Sequence, residues 1–143
     1  MKKVLFAALL SVLCLSVFAK GKQPIAFKAL PDKVQEEVKK NLPEQQIQFI
    51  TAKKELGRYQ YTFLLEDNST YVFDSKAQLR YVEDPKGVQD VFVPEKVLKY
   101  VQTTLPNTSI TEYKVESGCL RATLNNKMEL VFNKKGKFLR IED

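Results

Sequence analysis

The chain has 143 residues, 23 basic and 17 acidic, for a net charge of +6, and it contains no histidine and only two cysteines. The missing histidine excludes Ser-His-Asp and Cys-His nucleophilic sites and the common zinc sites. Five glycines leave no Gly-rich phosphate loop, and the interleaved charges form no block of the kind that makes a nucleic-acid tail.

The first element is a leader. Lys2 and Lys3 precede an apolar run from Val4 to Phe18, and Val17 and Ala19 are small residues suited to signal-peptidase cleavage before Lys20. The run is short for a membrane span, which needs about 20 apolar residues. Val12 and Leu13 ahead of Cys14 lack the small residue of a lipobox. A leader over 1–19, with no stable membrane anchor, predicts a periplasmic or secreted protein after cleavage near Ala19. Its removal takes the net charge from +6 to +4 and leaves Cys119 as the only thiol. A lone thiol makes no internal disulfide, so stability must come from an apolar core.

The body at 20–143 reads as one domain of two repeats, about 25–84 and 88–143. Leu30-Pro31-Asp32-Lys33-Val34 recurs as Val93-Pro94-Glu95-Lys96-Val97. At the same spacing Val38, Leu42, Pro43 and Ile47 match Val101, Leu105, Pro106 and Ile110. Val72-Phe73-Asp74 then matches Val131-Phe132-Asn133 with the spacing four residues shorter, which places a deletion near the Gly57 loop.

Each copy predicts a helix first. Pro31 and Pro94 suit a first helical turn. Val34, Val38 and Leu42 form one apolar stripe, as do Val97, Val101 and Leu105. Pro43 and Pro106 end the helices by disfavouring α geometry in the preceding residue. The period then falls to two: Ile47 and Phe49, then Tyr59, Tyr61 and Phe63, alternate with mostly polar neighbours. Asp67-Asn68 and Asn125-Asn126 signal hairpin turns. Asp67-Asn68-Ser69 lacks the glycine and glutamate of an EF-hand loop. Strands near 71–73 and 79–82 flank a turn at Ser75-Lys76-Ala77, where the second copy has Gly136. The expected fold is α+β: one helix plus four antiparallel strands, repeated in tandem. Together they predict an approximately eight-stranded antiparallel sheet with two helices on one face and the other face open.

No catalytic or metal-binding constellation emerges, and no cofactor is implied. Neighbouring acids such as Glu36-Glu37 point in different directions and form no carboxylate dyad. Cys119 has no basic cluster around it to activate it. Two N-glycosylation patterns, at Asn68 and Asn107, matter only in a eukaryotic secretory route. Strand parity assigns Tyr59, Tyr61, Phe63, Val82 and Ile141 to the core. It turns Leu64, Leu79, Tyr81, Arg121, Phe138 and Arg140 outward as a candidate protein-binding face, rich in the residue types interfaces favour.

The leader, the paired "LPxxV…V…LP" helices and the Val-Phe-Asp/Asn strand turns resemble the PepSY-like family of small periplasmic proteins, whose fold is similar to that of β-lactamase inhibitor protein. Leu30-Pro31, Leu42-Pro43 and Val72-Phe73-Asp74 with their second-copy partners carry the resemblance. Ala77 stands where glycine is usual. The resemblance implies an extracytoplasmic protein of two helices on one sheet, able to bind another protein, and no catalytic residues. The functional expectation is an exported, non-enzymatic binding or inhibitory protein whose partner is another envelope or secreted protein. The alternative is a periplasmic carrier of a small molecule or ion.

Overall fold

The computed structural model describes residues 21–43 and 46–142. The leader expected at 1–19 lies outside the described residues.

Each helix forms where its prolines dictate. Helix α1 spans Asp32–Asn41 and α2 spans Glu95–Thr104. Pro31 and Pro94 sit one position earlier than expected, as N-caps with φ of −55° and −57°. Their carbonyls accept the first helical hydrogen bonds, from Val34 and Gln35 and from Val97 and Leu98. Leu42 and Leu105 close the helices in non-helical geometry, as a residue preceding proline must. A short 3-10 turn leads into each helix, at Phe27–Ala29 and at Asp90–Phe92.

Nine strands form one sheet whose spatial order follows the chain, every neighbouring pair antiparallel. They are β1 (Lys22–Pro24), β2 (Ile47–Glu55), β3 (Arg58–Leu65), β4 (Thr70–Asp74), β5 (Leu79–Glu83), β6 (Ile110–Val115), β7 (Cys119–Leu124), β8 (Glu129–Asn133) and β9 (Phe138–Glu142). The ninth strand beyond the expected eight is β1. It pairs Lys22–Pro24 with Thr51–Lys53 but carries no apolar alternation to announce it. The two halves join through β5 and β6, where Tyr81, Val82 and Glu83 face Lys114, Tyr113 and Glu112.

One face of the sheet holds the core. Tyr61, Phe63, Tyr71, Phe73, Val82, Tyr113, Ala122, Leu130 and Phe132 all lie within the same buried cluster as Val34, Val38, Val97 and Val101 of the helices. The helix stripes therefore pack against a single continuous layer. Burying a side chain of this size stabilises by roughly 1.5–3 kcal/mol, so this layer dominates the stability of the described residues, whose cysteine, Cys119, is free.

Two sequence-based core assignments need correction. Tyr59 is 45 % and Ile141 is 50 % exposed. Both have core-side parity, but Tyr59 sits at the turn end of the long β2–β3 arm and Ile141 on the last strand. Parity sets direction; only the covering elements set burial.

Irregularities recur at matching places in the halves. Register shifts fall at Ile47/Phe49 and Ile110/Glu112, and again at Val72/Phe73 and Val131/Phe132. The β4–β5 and β8–β9 turns are also alike. Asp74 Oδ1 accepts from the backbone N–H of Lys76 and Gln78, and Asn133 Oδ1 from Lys135 and Lys137. Asp67 Oδ1 accepts from the N–H and Oγ–H of Ser69, so this segment is a hairpin turn.

Candidate functional site: the uncovered sheet face

Cross-strand pairing defines the face away from the helices without ambiguity, because directly opposed residues point the same way. One row runs Thr51, Thr62, Val72, Tyr81, Lys114, Arg121, Val131 and Arg140; the next runs Leu64, Thr70, Glu83, Glu112, Thr123, Glu129 and Glu142. Leu64, Tyr81, Arg121 and Arg140 thus share the face that the sequence assigns them to.

Leu79 and Phe138 do not. Each lies beside a bulge, which inserts one residue and reverses parity. Leu79 opposes Phe73, Phe138 opposes Phe132, and both side chains pack against the helix-side core. Phe138 stacks on Tyr100 of α2 with ring centroids 4.5 Å apart. The candidate face loses these two residues.

It gains Phe49. The bulge between Ile47 and Phe49 leaves Ile47 opposite buried Leu65 but sets Phe49 opposite Leu64, and Phe49 is 60 % exposed. Sequence parity had placed Ile47 and Phe49 on the same side. A bulge has no reliable residue signature when no glycine marks it, so Phe49 was hidden. With Pro24, Thr51, Thr62 and Leu64 it lines an apolar depression of about 680 Å³ on the first half of the face.

The second half is charged. Arg121 on β7 is the hub: its Nε donates to Glu116 at 3.0 Å, and Nη1 donates to Glu129 at 2.8 Å and also to Glu142. Arg140 Nε donates to Glu142 at 2.7 Å, and Lys114 lies 3.4 Å from Glu116. Arg121 draws the carboxyls of Glu116 and Glu142 below the usual carboxylate range, with help from Cys119 and Arg140 respectively. The three glutamates in turn raise the Arg121 guanidinium.

Beneath this network Val131 is fully buried yet separate from the helix-side core. Its register neighbours on the same face are Arg121 and Arg140. Arg121 is therefore a strut tying three strands together, not a free cation awaiting a partner.

Tyr81 stands between the two halves. Its hydroxyl donates to Glu83 at 3.2 Å. Burial, then Glu112 and Glu83, push its phenol up. Glu83 and Glu112 oppose each other directly across β5 and β6, a like-charge pairing that is unfavourable in isolation. Cys119 Sγ donates to Glu116 at 3.4 Å. Burial and that carboxylate raise its pKa, so it stays a thiol, the opposite of an activated nucleophile. Among the described residues no group of three or more His, Cys, Asp or Glu side chains is gathered to hold a metal ion.

Among the described residues, two helices on one side of a nine-stranded antiparallel sheet, with a mixed apolar and charged surface on the other, define a small α+β module with one open sheet face. A family model described as "Putative beta-lactamase-inhibitor-like, PepSY-like" matches twice, over residues 18–81 and 59–140, and the chain belongs to that family. Solved structures agree in fold. A protein described as a putative periplasmic protein of the DUF2874 family from Bacteroides vulgatus superimposes with a TM-score of 0.80 at 21 % identity, covering 87 % of this chain and 99 % of its own. A second, described as a putative calcium-regulated periplasmic protein from Bacteroides thetaiotaomicron, gives 0.78 at 20 % identity, covering 85 % and 97 %. A third, from Bacteroides vulgatus and described as of unknown function, gives 0.77 at 24 % identity, covering 86 % and 100 %. No curated protein matches the chain. The neighbours are described as periplasmic, and no described helix is long and apolar enough to cross a membrane.

Proposed function

We propose that the chain is an exported, non-enzymatic binding protein that engages another envelope or secreted protein through its uncovered sheet face. In this reading residues 1–19 are a cleaved leader. Residues 20–143 are two copies of one helix-plus-four-strand unit, about 25–84 and 88–143. The matched bulges, matched Asx turns and paired prolines support the duplication.

The observation that carries the binding reading is the exposed Phe49–Leu64 surface, which lies on the same face as Tyr81 and Arg140. An apolar depression beside fixed polar groups has the composition of a protein-binding patch. The description of the family as inhibitor-like agrees with such a role. One structural neighbour is described as calcium-regulated; among the described residues the carrier alternative finds no gathered donor set. It also has little room between helices and sheet, where Val34, Val38, Val97, Phe63 and Phe132 are fully buried.

Photo-crosslinking side chains introduced at Thr62 and Tyr81 on the open face, and at Gln35 and Lys99 on the helices, test the reading in the intact envelope. A protein adduct from the sheet positions alone is expected. Adducts confined to the helix positions would overturn the assignment. Replacing Leu64 with aspartate and Arg140 with alanine is expected to weaken the crosslink without lowering the melting temperature by more than a few degrees.

A further inference from the structure

Among the described residues the sheet has two edges, β1 and β9, and they are guarded by different devices. Natural sheets protect an edge by keeping it short, or with lysine or proline. Strand β1 has all three devices: three residues, Lys22, and Pro24, which has no N–H to offer. Strand β9 has five residues and no proline, and its protection is a bulge opposite Val131/Phe132 and the charges of Arg140 and Glu142. It exposes Leu139 at 48 % and Ile141 at 50 %, so apolar surface lies along an unpaired backbone edge.

The charges on β9 are arranged for one particular partner. Arg140 and Glu142 flank Ile141 and share the open face with it between them on the other side. In a two-fold antiparallel pairing, the axis is perpendicular to the sheet and residues of like parity must oppose each other. An axis at Arg140 sets arginine against arginine. An axis at Ile141 sets each Arg140 against the Glu142 of the second copy and joins the two exposed isoleucines. It also extends the network of Arg121, Glu129 and Glu142 across the boundary.

We infer that β9 is a homodimerisation edge, pairing with β9 of a second copy about Ile141 through reciprocal Arg140–Glu142 contacts. The result is an eighteen-stranded sheet with all four helices on one side and the two open faces continuous. The surface proposed above for a partner would then be doubled, but the dimer stands on the edge geometry and not on that reading. With the axis at Ile141 only Arg140, Ile141 and Glu142 of β9 find a counterpart, so the contact is small and the dimer concentration-dependent.

Sedimentation velocity on the processed protein recovered from the periplasm tests it. A mass that rises from monomer toward dimer with concentration is expected; a monomer at every concentration into the millimolar range overturns the inference. Charge exchange locates the interface. Arg140→Glu and Glu142→Arg chains are each expected to stay monomeric, because each sets like charges against each other, and to form a heterodimer when mixed. Dimers that survive in both single variants would place the contact elsewhere and overturn it. Should Glu142→Arg disturb the fold, an Ile141→Cys chain carrying Cys119→Ser gives a second reading. A short bis-maleimide linker is expected to couple two copies at position 141, and absence of coupling counts against the edge.

Discussion

Ala77 and Gly136 occupy the same place in two equivalent turns, and their φ angles are +63° and +87°. A side chain in this region carries a cost of roughly 1–2 kcal/mol that glycine avoids. Ala77→Gly is therefore expected to stabilise the protein by about 1 kcal/mol. Gly136→Ala is expected to destabilise it by more, since a Cβ at Gly136 would come within 2.9 Å of Lys96 Cβ on α2. Opposite shifts in the urea midpoint check the pair.

Arg121 offers a second test at this scale. Glu116 and Glu142 have folded pKa values below their ordinary ones. Their contribution is present above the ordinary carboxylate range and is lost as pH falls through the depressed values. Arg121→Gln is expected to lower the urea midpoint at pH 7. The gap from the parent chain is expected to narrow on acidification, as both proteins lose charged glutamates; a gap independent of pH would mean that Arg121 acts only through packing over Val131.

At the scale of elements, the helices were the most legible part of the sequence. Prolines at both ends fixed their limits to within a residue, and the spacing of Val34, Val38, Val97 and Val101 identified the buried stripe. Each of Val34 and Val97 is 0 % exposed, so truncation to alanine removes about two methyl groups' worth of burial and leaves a small cavity. A loss of about 2 kcal/mol is expected for either change. Equal effects measured by chemical unfolding would show that the helices carry comparable shares of the core. Eight of the nine strands were legible, β1 was not, and their facing was legible only in part. A helix tolerates no silent extra residue, whereas a strand absorbs one as a bulge and continues. Three such bulges decided that Phe49 faces outward and that Leu79 and Phe138 face inward.

At the scale of the molecule, a single buried cluster draws residues from both helices and from both halves of the sheet. A half of about 60 residues buries too little surface to be stable by itself. One cooperative unfolding transition is expected, with Val34→Ala and Val97→Ala lowering the same midpoint and not separating two. A chain ending at Lys86 is expected to lack the near-ultraviolet signal of packed tyrosines. Two resolved transitions in the intact protein would mean that the β5–β6 junction is weaker than the core it joins.

Proline positions, apolar period and internal recurrence are local properties, carried by residues a few positions apart. The sequence alone therefore determined two helices, a continuous antiparallel sheet, and a family. Which side chains stand on the open face and that Arg121 is bound by three glutamates from separate segments were decided only by tertiary structure. Those outcomes depend on register, and register is settled by contacts between strands, which no spacing along a single strand records.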